Sequence, residues 1–159
     1  MKEDSNPQSR YINNRDKKFF NVAKAVAKTS TYHGTHVGCC VVYKGVAISV
    51  AANSEKTHPL QLEYNKLRSF DPTTSVNKLH AEIHALSLLV SSNKQIDWNK
   101  ASIYIYREHK NGEKAISKPC PACYNLIKNL GIPYIYFIDE HSNYIKARTK
   151  DLKIVNYTN

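Results

Sequence analysis

Pro119-Cys120-Pro121-Ala122-Cys123-Tyr124-Asn125-Leu126-Ile127-Lys128-Asn129-Leu130-Gly131-Ile132-Pro133-Tyr134-Ile135-Tyr136-Phe137-Ile138 reads as a helix followed by a strand. The spacing predicts the helix over Cys120 to Leu130. Pro119 and Pro121 flank its start, where a missing N–H forfeits no helical bond, and Gly131 closes its end. The run from Ile132 to Ile138 is short and apolar, the pattern of a buried strand. Two cysteines three apart at a helix start lie within one turn. Both thiolates can grip one ion there, and the open N–H groups of the first turn stabilise their charge.

Working outward, Ala101 to Tyr106 alternates Ile103 and Ile105 against Tyr104 and Tyr106, a strand rich in β-formers. Before it, Leu79, Ile83, Leu86, Leu89 and Val90 share one face of an amphipathic helix. Helix, strand, helix, strand from Leu79 onward implies α/β packing with right-handed crossovers. In the first half, Phe19, Val22, Ala23, Val26 and Ala27 place a helix over Asp16 to Lys28. Val37 to Tyr43 and Val46 to Ala52 form a hairpin across the tight turn Lys44-Gly45.

Three stretches resist this reading. Asn53 to Lys78 is too polar for a strand, and Pro59 to Leu67 fits a short helix with Pro59 at its first position. Glu108 to Lys118 is polar, carries the turn signal Asn111-Gly112, and reads as a hairpin or a lid near the site. Asp139 to Asn159 is weakly patterned, with Lys153 to Tyr157 a final strand or a docked tail. No repeat or linker divides the chain, so residues 1–15 are expected to be a flexible tail and residues 16–159 a single domain.

The 159 residues, 42% hydrophobic and 23% charged, have the balance of a globular protein. No apolar run approaches the roughly 18 residues that span a bilayer, and the polar N-terminus lacks a signal-peptide core. The expectation is a cytoplasmic protein with reduced thiols and no membrane partner. The formal net charge of +10 favours an anionic partner, a nucleotide phosphate or a nucleic acid backbone. The lysines are scattered, which fits solvated lysines plus a phosphate pocket better than a nucleic-acid track. Cys39 and Cys40 sit in a strand, where vicinal cysteines are small core residues, since a bond between neighbours is strained.

Cys120 and Cys123 gain meaning beside His80-Ala81-Glu82. Zn2+ accepts sulfur and nitrogen in tetrahedral geometry. His80, Cys120 and Cys123 supply three ligands, and the fourth position stays open for water, the mark of a catalytic rather than a structural site. Glu82 follows His80 by two residues, about 200° around a helix. The two diverge in mid-helix but converge if His80 points in from the cap and Glu82 turns over the water. Glu82 is then the general acid/base. Each motif alone is weak, because a lone Cys-x-x-Cys is often a redox pair or half of a structural zinc site. His84 sits at His-x-x-x-His spacing from His80, but with the acid at the wrong position for that site, so it is read as packing or support.

His-x-Glu followed by Pro-Cys-x-x-Cys resembles the cytidine and deoxycytidylate deaminase superfamily, which includes the tRNA adenosine deaminases. The resemblance runs from about Phe19 to Ile138. It implies a cytidine deaminase-like fold, a three-layer α/β/α sandwich around a mixed β-sheet. It implies that His80, Cys120 and Cys123 hold zinc, that Glu82 shuttles protons, and that Asn53, just past the second strand, contacts the nucleoside. Ala27-Lys28-Thr29-Ser30 ahead of His36-Val37-Gly38 is most similar to the deoxycytidylate branch, so the implied substrate is a cytosine nucleoside or nucleotide and the implied state a homo-oligomer. Two departures stand in the segments that set substrate choice: Glu108 to Lys118 intervenes before the Pro-Cys turn, and the connection Ser54 to Lys78 is long. A polynucleotide deaminase acting on cytosine or adenine is the alternative, with Tyr104, Tyr106, Tyr124 and Tyr134 as stacking platforms. A non-catalytic zinc module is a third reading, against which Glu82 speaks.

Overall fold

A computed structural model describes residues 12–66 and 78–154. Helix α1 is Asn14–Ala27, and Asn13 opens it with a capping box. The Asn13 side chain accepts from Asp16 N at 2.8 Å, while Asp16 Oδ2 accepts from Asn13 N at 3.1 Å. Strands β1, His36–Tyr43, and β2, Val46–Ala52, follow. They join through Lys44 and Gly45 at φ 49 and 81, two left-handed residues whose twist suits a hairpin. Helix α2, Pro59–Asn65, has Pro59 in its first turn and His58 as N-cap. Helix α3 is Ala81–Val90, strand β3 Ala101–Glu108, and helix α4 Pro121–Leu130, ended by Gly131 at φ 93. Strands β4, Tyr134–Ile138, and β5, Tyr144–Arg148, complete the set among the described residues.

The sheet runs β2-β1-β3-β4-β5. It is mixed: β3 and β4 are parallel, with α4 as their crossover, and the other neighbouring pairs are antiparallel. Period-two alternation sorts the side chains. Cys39, Val41, Ile103, Ile105, Ile135 and Phe137 pack with α3 and α4 in one cluster. Cys40, Val42, Tyr104, Tyr106, Tyr136 and Ile138 pack with Phe19, Phe20 and Ala23 of α1 in the other. The result is the expected α/β/α sandwich. Cys39 and Cys40 are both fully buried, one in each core. No helix among the described residues is long and apolar enough to cross a membrane.

Several expectations change. Leu79 is buried but precedes α3: it bridges Ser54, with N···O distances of 3.0 and 3.1 Å. Helix α1 starts two residues before Asp16, and residues 1–11 of the expected tail lie outside the described residues. Among the described residues the last strand is β5; of the segment Lys153 to Tyr157, expected as a strand or a docked tail, Lys153 and Ile154 are not in a strand and the rest lies outside the described residues. The end of the expected 59–67 helix, residue 67, lies outside it too. Tyr104 and Tyr106 are 3% and 1% exposed beneath α1, so neither offers a face to a base. Tyr124 donates to Thr149 O at 2.8 Å, and the Tyr134 ring carries Lys146 Nζ at 4.5 Å. Glu108 to Lys118 begins as a short hairpin, in which Glu108 bridges Lys114 and His109 N donates to Glu113 O at 2.9 Å.

Candidate active site

Parallel strands β3 and β4 pair through Tyr104 and Tyr136 and then part. Buried Ser117 fills the gap: its hydroxyl donates to Ile105 O at 2.6 Å and accepts from Ile138 N at 2.7 Å. The chain leaving it passes Lys118 and Pro119 and enters α4. The carboxyl ends of parallel strands are where open α/β sheets form ligand crevices.

Two helices begin here with unusual caps. His80 is the N-cap of α3 and Cys120 that of α4, both extended (ψ 147 and 167) and neither making a side-chain cap bond. Their side chains instead turn to each other. His80 Nδ1 lies 3.5 Å from Cys120 Sγ and 3.4 Å from Cys123 Sγ. All three donor atoms lie within 4.8 Å of one another. A tetrahedral zinc with nitrogen at ~2.05 Å and sulfur at ~2.3 Å sets the N···S separation at about 3.5 Å, so the group fits that ion. The donor chemistry agrees. Burial, then the neighbouring Cys120, pushes the Cys123 thiol well above its ordinary range, and a divalent cation is the charge that reverses such a cost.

Glu82 stands in the first turn of α3, 5% exposed. Burial raises its carboxyl above the usual carboxylate range, while the His80 ring works the other way. A cavity of about 190 Å³ opens against His80, Glu82 and Cys120.

Asn53 also lines this cavity and is 3% exposed. Its Oδ1 accepts from Ser30 Oγ at 2.6 Å and Val37 N at 2.9 Å, and its Nδ2 donates to Thr35 O at 2.9 Å. Its orientation is therefore fixed. His84 lies away from the metal group, its Nδ1 3.4 Å from Ala52 O. Further residues of the wall are Thr35, just before β1, Val37 in β1, Lys78, Arg107, and Ile116 and Ser117 from the hairpin segment. Arg107 is held by bonds from Nε to Thr35 Oγ1 at 3.1 Å and from its terminal nitrogen to Ile116 O at 3.3 Å. Its signal was the odd charge on the alternation of β3. Lys118, noted only as part of the insertion, lines the wall too.

A family model described as the cytidine and deoxycytidylate deaminase zinc-binding region matches residues 13–139. Among solved structures, the chain is similar to a cytidine deaminase from Burkholderia pseudomallei, with TM-score 0.60 and 16% identity over 85% of this chain and 93% of that one. It is similar to a dCMP deaminase from the cyanophage S-TIM5, with TM-score 0.52 and 19% identity over 79% and 82% of the two chains. A mutant cytidine deaminase from Mycobacterium tuberculosis gives TM-score 0.52 and 14% identity over 85% and 88%. No curated protein matches. Identities this low carry the fold alone, whereas the family model spans both motifs and most of the sheet. The chain belongs to the cytidine and deoxycytidylate deaminase family.

Proposed function

We propose that this chain hydrolytically deaminates a cytosine nucleotide, deoxycytidylate or a near relative, to the uracil product and ammonia. The observation that carries the reading is a buried carboxyl, Glu82, beside a His/Cys/Cys donor set at one cavity. His80, Cys120 and Cys123 would hold zinc, which supplies the acidity that makes water a nucleophile near neutral pH. Glu82 accepts one proton of the attacking water on its carboxylate and passes it to the ring nitrogen beside the reacting carbon; it then takes the second proton from the hydroxyl now on that carbon and gives it to the departing amine, which leaves as ammonia. Its burial excludes bulk water from that transfer. Asn53 uses one Nδ2 proton on Thr35 O, and its other proton is our candidate contact to the sugar or base.

Lys78, Arg107 and Lys118 line the cavity against one carboxylate, Glu82, a balance that suits a substrate phosphate. The polynucleotide alternative loses the support of Tyr104 and Tyr106, which are buried under α1.

The test is ammonia release from deoxycytidylate, cytidine, adenosine and a cytosine-containing single strand, each offered to the zinc-loaded protein. Deoxycytidylate should turn over with the highest kcat/KM. Conversion of the strand with inert free nucleotides would replace this reading with the polynucleotide one.

A further inference from the structure

We propose that Gln61 is a positioning residue that holds the His80 main chain where its ring can meet Cys120 and Cys123; this rests on the zinc reading above. Gln61 belongs to α2, the short helix within the long connection, and it is 0% exposed. Its Oε1 accepts from His80 N at 2.9 Å. Its Nε2 donates to Asn65 Oδ1 at 2.8 Å, one turn along the same helix. The His80 N–H fixes the sense of the amide, since reversed an NH2 would face it and two donors would oppose each other; the bond to Asn65 braces that orientation.

The His80 amide needs such a partner. As N-cap, its N–H lies outside the helical ladder, and its side chain makes no cap bond. The residue before it is already pinned, because Leu79 N donates to Ser54 O at 3.1 Å and Lys56 O at 2.8 Å. Gln61 therefore sets the last main-chain orientation before the imidazole. The same helix braces the other ligand-bearing element: Asn129 Nδ2 of α4 donates to Tyr64 Oη of α2 at 3.2 Å. A fully buried glutamine with both ends of its amide used is not explained by packing, which an apolar side chain of equal size would satisfy. Groups that orient a ligand tune metal affinity typically by 10- to 100-fold.

The test uses the full chain loaded with zinc or with cobalt(II). Gln61→Met keeps the bulk and removes the strong acceptor; it should weaken zinc about 10-fold in chelator competition and shift the cobalt absorption bands. Asn65→Ala, which removes the bond that braces the amide, should move both readouts the same way by less. A purely structural role lowers the melting temperature and leaves the cobalt spectrum alone. Wild-type zinc affinity and cobalt spectrum in Gln61→Met overturns the proposal. If that variant does not fold, the same result in Asn65→Ala overturns it. A wild-type protein that binds no zinc, or a Cys120→Ser variant that binds it as tightly as wild type, fails the zinc reading and this inference together. Neither result can come from the Gln61 or Asn65 variants, so the two failures are distinguishable.

Discussion

Histidine and cysteine are poor helix caps, yet His80 and Cys120 occupy those positions on α3 and α4 without capping through their side chains. Serine at an N-cap typically stabilises by about 1 kcal/mol relative to a non-capping residue. The metal-free protein therefore gives up stability to keep its donors facing one point. Cys120→Ser should lose zinc and, with chelator present, melt about 2–4 °C higher than metal-free wild type in calorimetry. A lower metal-free melting temperature would show that the sulfur matters to packing and not only as a donor. Glu82 is a different case, since its carboxyl is buried against the donor set and the proposed role is proton transfer. Glu82→Gln keeps the shape and removes the transferable proton. Turnover should fall by about 10²- to 10⁴-fold, the usual contribution of a general acid/base, with zinc content by metal analysis unchanged.

At the scale of elements, β1 fixes α1 by a close approach. A Cβ at Gly38 would overlap Ala23 O and lie 2.6 Å from Ala27 N, both backbone atoms of α1. Gly38→Ala must push the helix off the sheet, an overpacking that costs about 1–3 kcal/mol, or roughly 2–12 °C in melting temperature. Zinc affinity should hold, because the donors stand on the other side of the sheet; a variant with wild-type melting would refute this packing. The elements legible in the sequence are those that local chemistry dictates. The β1–β2 hairpin announces itself by alternation across Lys44-Gly45, and α4 by prolines before and glycine after. Strand β5 stayed hidden. It is a half-buried edge carrying Lys146 and Arg148, charges that guard an edge but blur its pattern, and its turn uses Ser142 at φ 63 where glycine would have signalled it. Leu79 fits the α3 periodicity whatever its backbone does, which is why periodicity overran the true start at Ala81. The donors and Glu82 were legible as residue types at fixed spacing. Arg107, Ser117 and Gln61 were not, because each acts through partners far along the chain.

Across the whole molecule the sheet separates two interiors with different acid–base behaviour. The site side holds the donor set, and the α1 side holds a tyrosine-rich core. Tyr104 and Tyr136 stack at 4.0 Å, and Tyr104 Oη donates to Asp16 Oδ1 at 2.7 Å. Burial, aided by Asp16, raises the Tyr104 hydroxyl far above its usual value; burial also raises Tyr136 and pushes Tyr106 up to about 12. Burial lifts the Cys40 thiol to about 12 as well. In the unfolded chain these groups ionise near ~10 for tyrosine and ~8.5 for cysteine. Their folded values are raised, so the folded state binds more protons wherever the unfolded state has lost them. Their stabilisation is complete below about pH 8 and is lost as pH climbs, from the cysteine first and the tyrosines above ~10. Each buried group that stays protonated while its unfolded counterpart ionises costs about 1.4 kcal/mol per pH unit. Urea unfolding of the full chain should therefore show a midpoint that falls steeply between pH 9 and pH 11. Tyr104→Phe, less stable at neutral pH for want of the bond to Asp16, should show a shallower fall. An equal fall in both proteins would move the alkaline sensitivity away from this core, and a flat midpoint in wild type would mean that the tyrosines ionise in the folded state, which the packing of Phe19 and Phe20 against Tyr104 forbids.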